Sequence, residues 1–550
     1  MLNDALMNIK SMNRSGILIF CALFAVVSLS AQSVDGLRVA WDRSSESRIA
    51  PHGNYARVIR LDDDTFLAAF EHGGGISLAT SADLKAWSSP RPVISGFQGS
   101  SGGHDYHVHT ANPELCLTRE GTLLLGVNYR PSGHAFYPFS IVLLRSEDGG
   151  LSWSSPDVLY CAGLDFSNGC WEPSFLQLPD GTIHLYFANE GPYTDSQEQE
   201  ISVMTSCDDG RSWSPAIAAS FRSGHRDGMP VATVVGDDIV LAIEDNVDGK
   251  FKPYTVRASL EEGWTEPVGG CSPLRLRALS APVERHVYMG APYIVTLPGG
   301  ETLLSYQTTE GRSNEWEFSC MEVAVSDSAA EAFSKRTRPF DVPFGRSGKW
   351  NSLCVVDANT VAAVSSTDKD GVNAPHIVQG HLIRSCAVSK VSHQTDHFFV
   401  GSMTCDNLTA GLGYEGGQFV FRACVKDADV TEGDGVEFFL DLTGKESSAP
   451  YKGVFKVYVD HTGSKVKVFE GHKGAWKPRP SSSVSVQSIR GSDGYSLTVV
   501  FRERTFRAIN ADIRASVLHI NDASDGTSYM EPLVHSDPDI PSTWLAMYIL

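Results

Sequence analysis

What this chain of 550 residues has little of narrows its function early. Basic residues are scarce: 45 Lys and Arg stand against 65 Asp and Glu, for a formal net charge of -20. That balance excludes the continuous basic surface by which proteins hold nucleic acid or anionic membrane. It does not exclude an acidic sugar, because a local arginine cluster overrides net charge. No two cysteines are spaced as CxxC, and no Cys/His spacing matches a zinc site, so neither a metal nor another cofactor is expected. Long hydrophobic runs are missing after Leu29, so no membrane span is expected. The one apolar run, Gly16 to Leu29, is about 14 residues long, too short to cross a bilayer comfortably. It follows Lys10 and Arg14, and small residues mark its end: Ser28, Ser30 and Ala31. This reads as a signal peptide over residues 1–31. The mature protein is therefore expected to be exported: periplasmic, secreted or at the cell surface. Cys21 lies inside the run, but the bulky Leu18-Ile19-Phe20 before it does not suit a lipoprotein signal.

Of the remaining cysteines, Cys116, Cys207, Cys354, Cys386 and Cys424 lie in strand-like runs, where the thiol is expected to act as a small buried apolar group. Cys161 and Cys170 flank a loop and are the candidates for a disulfide. The chain is 42% hydrophobic and 10% aromatic, with 50 Gly and 27 Pro. It can build sizeable cores with many turns, but it is too long for one core.

A repeat runs from about residue 50 to 390. Its plainest element is an apolar strand, found at 65–70, 122–129, 182–189, 239–244, 302–307 and 360–365. Most copies follow a turn such as Pro179-Asp180-Gly181. The strand after it ends in Ser146-x-Asp148-x-Gly150-x-x-Trp153, and again in Ser206-x-Asp208-x-Gly210-x-x-Trp213. Ser81-x-Asp83 to Trp87 is a version one residue shorter. In this Asp-box the Asp accepts N–H bonds within its own turn, the Gly permits positive φ, and the Trp packs beneath. Six such units predict an all-β fold, a six-bladed β-propeller over 35–390. Leu37–Trp41 is expected to supply the outer strand missing from the last unit. Residues 391–550 carry no Asp-box and alternate polar with apolar residues, which predicts a separate β-sandwich.

In a propeller the start of each first strand and the end of each second strand open on one face, opposite the Asp-boxes. Those positions hold aromatics, amides and carboxylates: Arg57, Asn112, Trp171, Glu172, Arg226, Asp227, Tyr293 and Asn351 on first strands, Glu244 and Gln307 on second strands. Aromatics stack on sugars and amides bind hydroxyls. Glycoside hydrolysis needs two carboxyl groups. Glu172 and Glu244, from adjacent units, are the candidate pair. Trp171 and Pro173 give Glu172 an apolar setting suited to a general acid.

The segments Cys170–Glu190 (CWEPSFLQLPDGTIHLYFANE), His225–Val234 (HRDGMPVATV), Gly290–Arg312 (GAPYIVTLPGGETLLSYQTTEGR) and Lys349–Leu353 (KWNSL) resemble glycoside hydrolase family 93, the exo-arabinanases. The resemblance spans the propeller. It implies an exo-acting retaining hydrolase of a polysaccharide or glycan, with arabinan favoured, Glu172 as acid/base and Glu244 as nucleophile. Arg57, Asn112, Trp171, Arg226, Asp227, Tyr293, Gln307 and Asn351 are then the substrate-binding candidates.

The wider sialidase superfamily shares the Asp-box. A sialidase would use three arginines for the substrate carboxylate and a Tyr nucleophile. Arg57, Arg226, Arg285 and Arg312, with Tyr288 or Tyr293, are the candidates, although Arg57 lacks the usual Arg-Ile-Pro context. Its simpler role is an ion pair with Glu71. The C-terminal part, through Gly433–Asp441 and Pro541–Leu550, resembles family-9 carbohydrate-binding modules. Trp476 and Trp544 would be its sugar clamp. A non-catalytic glycan-binding protein is the alternative from another functional class.

Overall fold

The computed structural model describes residues 33–133, 136–326, 329–387, 407–415, 418–443, 449–502, 512–522, 528–532, 538–539 and 544–548. The segment 1–31 expected to be a signal peptide, the start of the C-terminal part and Pro541–Thr543 lie outside them.

Among the described residues the chain is all-β, with only short 3-10 turns between strands. Six antiparallel sheets precede residue 390. Their first strands are Asn54–Arg60, His104–Leu117, Cys170–Gln177, Asp227–Val235, Met289–Thr296 and Gly348–Asp357. We number the sheets one to six in that order. Each first strand packs against the next, and the sixth packs against the first, so the series closes on itself. The second strands are apolar on both faces because a neighbouring sheet covers each side; Ile183–Asn189 is buried throughout.

Sheet six holds both ends of the ring. Its outer strand is Ser33–Arg48, paired antiparallel with Ala374–Ala387 in a register that sets Trp41 opposite Gly380. The expected closure by Leu37–Trp41 is therefore present. Trp41 is fully buried, and its indole N–H donates to Thr337 Oγ1 at 2.9 Å, fastening sheet six to sheet five.

The Asp-box turns fold as their residue types demand. Asp148 Oδ1 accepts from Ser146 Oγ at 2.8 Å and from the Ser152 N–H at 2.9 Å, and the Trp153 indole donates to the Gly150 carbonyl at 3.1 Å. The Asp208 turn repeats the pattern. These bonds, led by the Ser152 and Ser212 hydroxyls, hold both carboxyls down at about 2.

After the ring two sheets remain, one led by Leu408–Glu415 and Gln418–Lys426, the other centred on Gly435–Asp441 and Val454–Asp460. Phe419, Phe421 and Phe501 from the first meet Phe438, Leu440 and Val457 from the second in one core.

The cysteines correct two expectations. Cys161 and Cys170 are unbridged, one exposed and one buried. Cys354 is buried as expected, but Cys207 and Cys424 are exposed. Cys207 lies within an Asp-box turn, and Cys424 faces outward where the alternation of its strand places it. The side chain of Cys386 lies outside the described residues.

Candidate active site

All six first strands break register at the same point. Two residues are left unpaired: Tyr55-Ala56, Asn112-Pro113, Glu172-Pro173, Met229-Pro230, Ala291-Pro292 and Trp350-Asn351. The first of each pair has φ between 48° and 54°. This is a β-bulge repeated six times, and four copies place Pro where no ladder N–H is needed. Left-handed backbone at a non-glycine residue costs about 1–2 kcal/mol, so the surroundings must hold it.

Much of that hold comes from the neighbouring sheet. The N–H of Asn112 donates to Glu71 Oε1 at 2.9 Å, and that of Ala291 to Glu244 Oε2 at 2.8 Å. Trp350 donates to Gln307 Oε1 at 2.7 Å, and Tyr55 to Ser366 Oγ at 2.9 Å. Every acceptor sits on a second strand, opposite the residue that precedes the bulge in its own sheet. Asn128 holds the corresponding place in sheet two and instead donates to the Cys170 carbonyl at 2.8 Å. Ala188 holds it in sheet three and has no polar side chain to offer. Glu244 is thus one member of a set of inter-sheet clamps.

The bulges turn their side chains toward the centre of the ring. Tyr55, Met229 and Ala291, from sheets one, four and five, form one apolar cluster with Trp350 from sheet six. Glu172 stands beside this plug. It lies 3.5 Å from Arg130, whose guanidinium is 4.9 Å from the centre of the Trp171 ring. Burial pushes the Glu172 carboxyl up to about 7, with Arg130 opposing and Glu190 adding to the rise. Glu244 is pushed up to about 7 by burial, against the Ala291 N–H, with a further rise from the charge of Glu172. The carboxyl of sheet three is therefore close enough for its charge to act on that of sheet four. Tyr288 lies close to Glu244: a Cβ built on Gly290 would fall 2.1 Å from the Tyr288 hydroxyl and 2.4 Å from Glu244 Oε2. Only glycine permits that approach. Tyr288, Trp316 and Trp350 continue outward as an aromatic wall, with ring centres 6.3 and 6.1 Å apart. Trp316 is 40% exposed and Lys349 caps its ring.

The structure sorts the predicted binding residues. Trp171 and Tyr293 line this region, although Trp171 is mostly covered by Phe139 and Phe166. Arg57 pairs with Glu114 of sheet two at 3.0 Å, not with Glu71, and packs on Tyr55 and Tyr293. Asn112 is bound through its Oδ1 by Arg130, and Arg226 by Glu190 and Gln199. Gln307 and Asn351 are buried hydrogen-bonding staples: Gln307 bonds the Tyr288 hydroxyl and Trp350 N–H, while Asn351 bonds Ser305 and the Ala291 carbonyl. Both residues are buried, at 0% and 1% exposure.

Asp227 corrects the expectation most clearly. It is 0% exposed and ion-paired with Arg275 at 2.6 Å. Trp544 is also 0% exposed, in a small core with Phe439, Val454 and Leu518, and Trp476 packs on the same cluster. The Trp476 indole N–H donates to Asp539 at 2.6 Å. Among the described residues the two rings share a core on the outer face of the Gly435–Asp441 sheet, and Trp544 is covered there.

Sequence reasoning assigned no role to Glu114, Arg130, Glu190, Tyr55 or Trp316. The first four stand at strand ends or bulges, where position alone marked them. Trp316 lies in the short turn Trp316–Phe318 and carries no repeat signal.

Comparison with known proteins gives similarity to solved structures alone: no family model and no curated protein matches this chain. A protein of unknown function from Dyadobacter fermentans is 16% identical, with TM-score 0.48, over 64% of this chain and 100% of that one. The GH93 alpha-L-arabinofuranosidase of Fusarium graminearum, in complex with arabinobiose, is 17% identical with TM-score 0.43, over 64% of this chain and 98% of its own. The Trypanosoma rangeli sialidase is 11% identical with TM-score 0.41, over 92% and 90%.

Proposed function

We propose that this protein is an exported, exo-acting retaining glycoside hydrolase, built as a six-bladed β-propeller over 35–390 and a β-sandwich over 391–550, with an arabinan-type glycan as substrate. One observation carries the reading: two buried carboxyls from adjacent sheets, Glu172 and Glu244, are both pushed up to about 7, and the charge of Glu172 adds to the rise at Glu244. A retaining mechanism needs one such group protonated and its partner ionised. Glu244, which accepts the Ala291 N–H, is the better-stabilised anion and serves as nucleophile. Its oxygen bonds the anomeric carbon while the bond to the leaving oxygen breaks, and Glu172 gives that oxygen its proton. Glu172 then takes a proton from water, and the resulting hydroxide displaces Glu244 from the anomeric carbon. Tyr288, Trp316 and Trp350 offer faces for the sugar.

The dependence on pH follows. Coupled carboxyls lose their two protons in macroscopic steps that belong to the pair. The kcat/KM profile is expected to be a bell bracketing about 7, falling on the acid side as Glu244 protonates and on the alkaline side as Glu172 ionises. A profile flat from pH 5 to 9 contradicts the pair.

A sialidase reading has one observation in its favour: Arg57, Arg130 and Arg226 all act on Glu172. Each, however, already faces a carboxylate, in Glu114, Glu172 and Glu190 respectively. Arg312, another candidate, is spent on the carbonyls of Phe318, Val342, Pro343 and Arg346. Incubation with linear arabinan and with sialyl-lactose, with the first-formed anomer read by NMR, decides the matter. Arabinose released with retained configuration is expected. Sialic acid release supports the second reading, inversion removes the nucleophile, and no product from any glycan favours a binding protein.

A further inference from the structure

Between sheets four and five, in the loops beside Glu244 and Tyr288, lies a pocket of about 250 Å³. Its lining is cationic in a chain whose net charge is -20. Lys252, Arg277 and Arg285 contribute three positive charges and Asp248 one negative charge, over a floor that includes Leu279 and Pro282. Asp248 is already committed, bound by both arms of Arg277 at 2.7 and 2.8 Å and by the Tyr254 hydroxyl at 2.6 Å.

Lys252 is only 5% exposed, so its ammonium has little water to solvate it. Two donors are used, on the carbonyls of Lys250 and Val287. An ammonium has three donors, so one has no partner among the described residues. Arg285 stands near enough to repel Lys252, is exposed, and has no ion-pair partner among the described residues. Burial, followed by these like charges, depresses the Lys252 ammonium to about 8 despite Asp248. Two cations held together with one spare donor and no free anion form a site that an anion completes. The Lys252 bond to the Val287 carbonyl ties this site to the segment that carries Tyr288.

We propose that this pocket is a subsite for an acidic sugar unit, one bearing a carboxylate or a sulfate, next to the position where the neutral terminal sugar is cleaved. The volume, below the roughly 300–1,000 Å³ of a drug-sized site, suits a single such unit. The placement relative to cleavage rests on the proposed function; the anion site itself does not.

The test is equilibrium binding to the full chain by calorimetry, using galacturonate, galactose and inorganic sulfate as probes. Galacturonate is expected to bind and galactose not. Arg285→Gln, a change at an exposed residue, is expected to weaken galacturonate binding by about tenfold or more. Glu172→Gln is expected to leave that binding intact, so a failed hydrolase reading remains distinguishable from a failed subsite. Galactose binding as well as galacturonate, or affinity unchanged in Arg285→Gln, overturns the proposal. Sulfate binding as tightly as galacturonate overturns its assignment to a sugar.

Discussion

Glu172→Gln and Glu244→Gln are each expected to lower kcat on a glycan substrate by about 10³-fold or more while raising thermal stability at pH 8. The loss follows from removing the proton donor or the nucleophile of a two-carboxyl reaction. The gain follows from the raised carboxyls. A carboxyl whose folded pKa lies near 7, well above its ordinary 4.5, costs stability when it ionises in the fold. That cost is absent at pH 4 and grows as pH climbs through the interval up to about 7. Glutamine has no charge to bury, so the variants escape it. In Glu244→Gln the clamp also survives, because Gln307 already receives a bulge N–H through its amide oxygen in the adjacent sheet. Activity and melting temperature at pH 4.5 and 8 give the readout. A variant that loses activity and stability together at both pH values marks a structural role instead. Azide adds a second check. It is expected to restore turnover in Glu244→Gln with an inverted glycosyl azide, and to give a retained product in Glu172→Gln.

Arg275→Met is expected to cost about 3–5 kcal/mol of stability, the usual result of leaving a buried charge without its partner. The Arg275 side chain is 1% exposed and divides its guanidinium between Asp227 at 2.6 Å and Asp245 at 3.0 Å, whose side chains are both 0% exposed. Arg222 still reaches Asp245 at 2.8 Å, but Asp227 would retain only Ser220. Burial already holds the Asp227 carboxyl above its ordinary range, and loss of Arg275 raises it further. The penalty is therefore largest at high pH and is relieved as pH falls through the folded pKa, when Asp227 takes up a proton. Urea unfolding at pH 5 and pH 8 reads both the size and the slope. A loss below 1 kcal/mol at pH 8 would contradict the assignment. Asp245 directly follows Glu244, so the same variant is expected to loosen the Glu244 side chain.

The strands and Asp-boxes were legible because their signals are local: alternation, turn residues and a Ser-x-Asp motif each lie within a few positions. The segments carrying Glu172 and Glu244 were legible for the same reason, as polar residues at the ends of apolar strands. The bulge was half visible. Asn112-Pro113, Glu172-Pro173, Met229-Pro230 and Ala291-Pro292 recur at one point of the unit, yet Tyr55-Ala56 and Trp350-Asn351 hide it by lacking proline. The clamps were not legible, because each joins two sheets and no local pattern records which neighbour a side chain reaches. Arg57 shows this: Glu71 is nearer in sequence, but Glu114 on the adjoining strand receives it. Trp544 failed differently. Alternation tells that a strand has two faces and not which face another segment covers.

Sheet six, which joins Ser33–Arg48 to Ala374–Ala387, has a consequence for biosynthesis. Its contacts are among the longest-range in the chain, and closure of so large a loop comes late and slowly. Until Ala374–Ala387 emerges from the ribosome, Trp41 has no strand to cover it and sheet one has an open neighbour. The nascent chain thus carries an unpaired, apolar edge throughout synthesis of the ring, and such edges invite association between chains. Yield on overexpression is expected to depend on how well holdase chaperones shield that first strand.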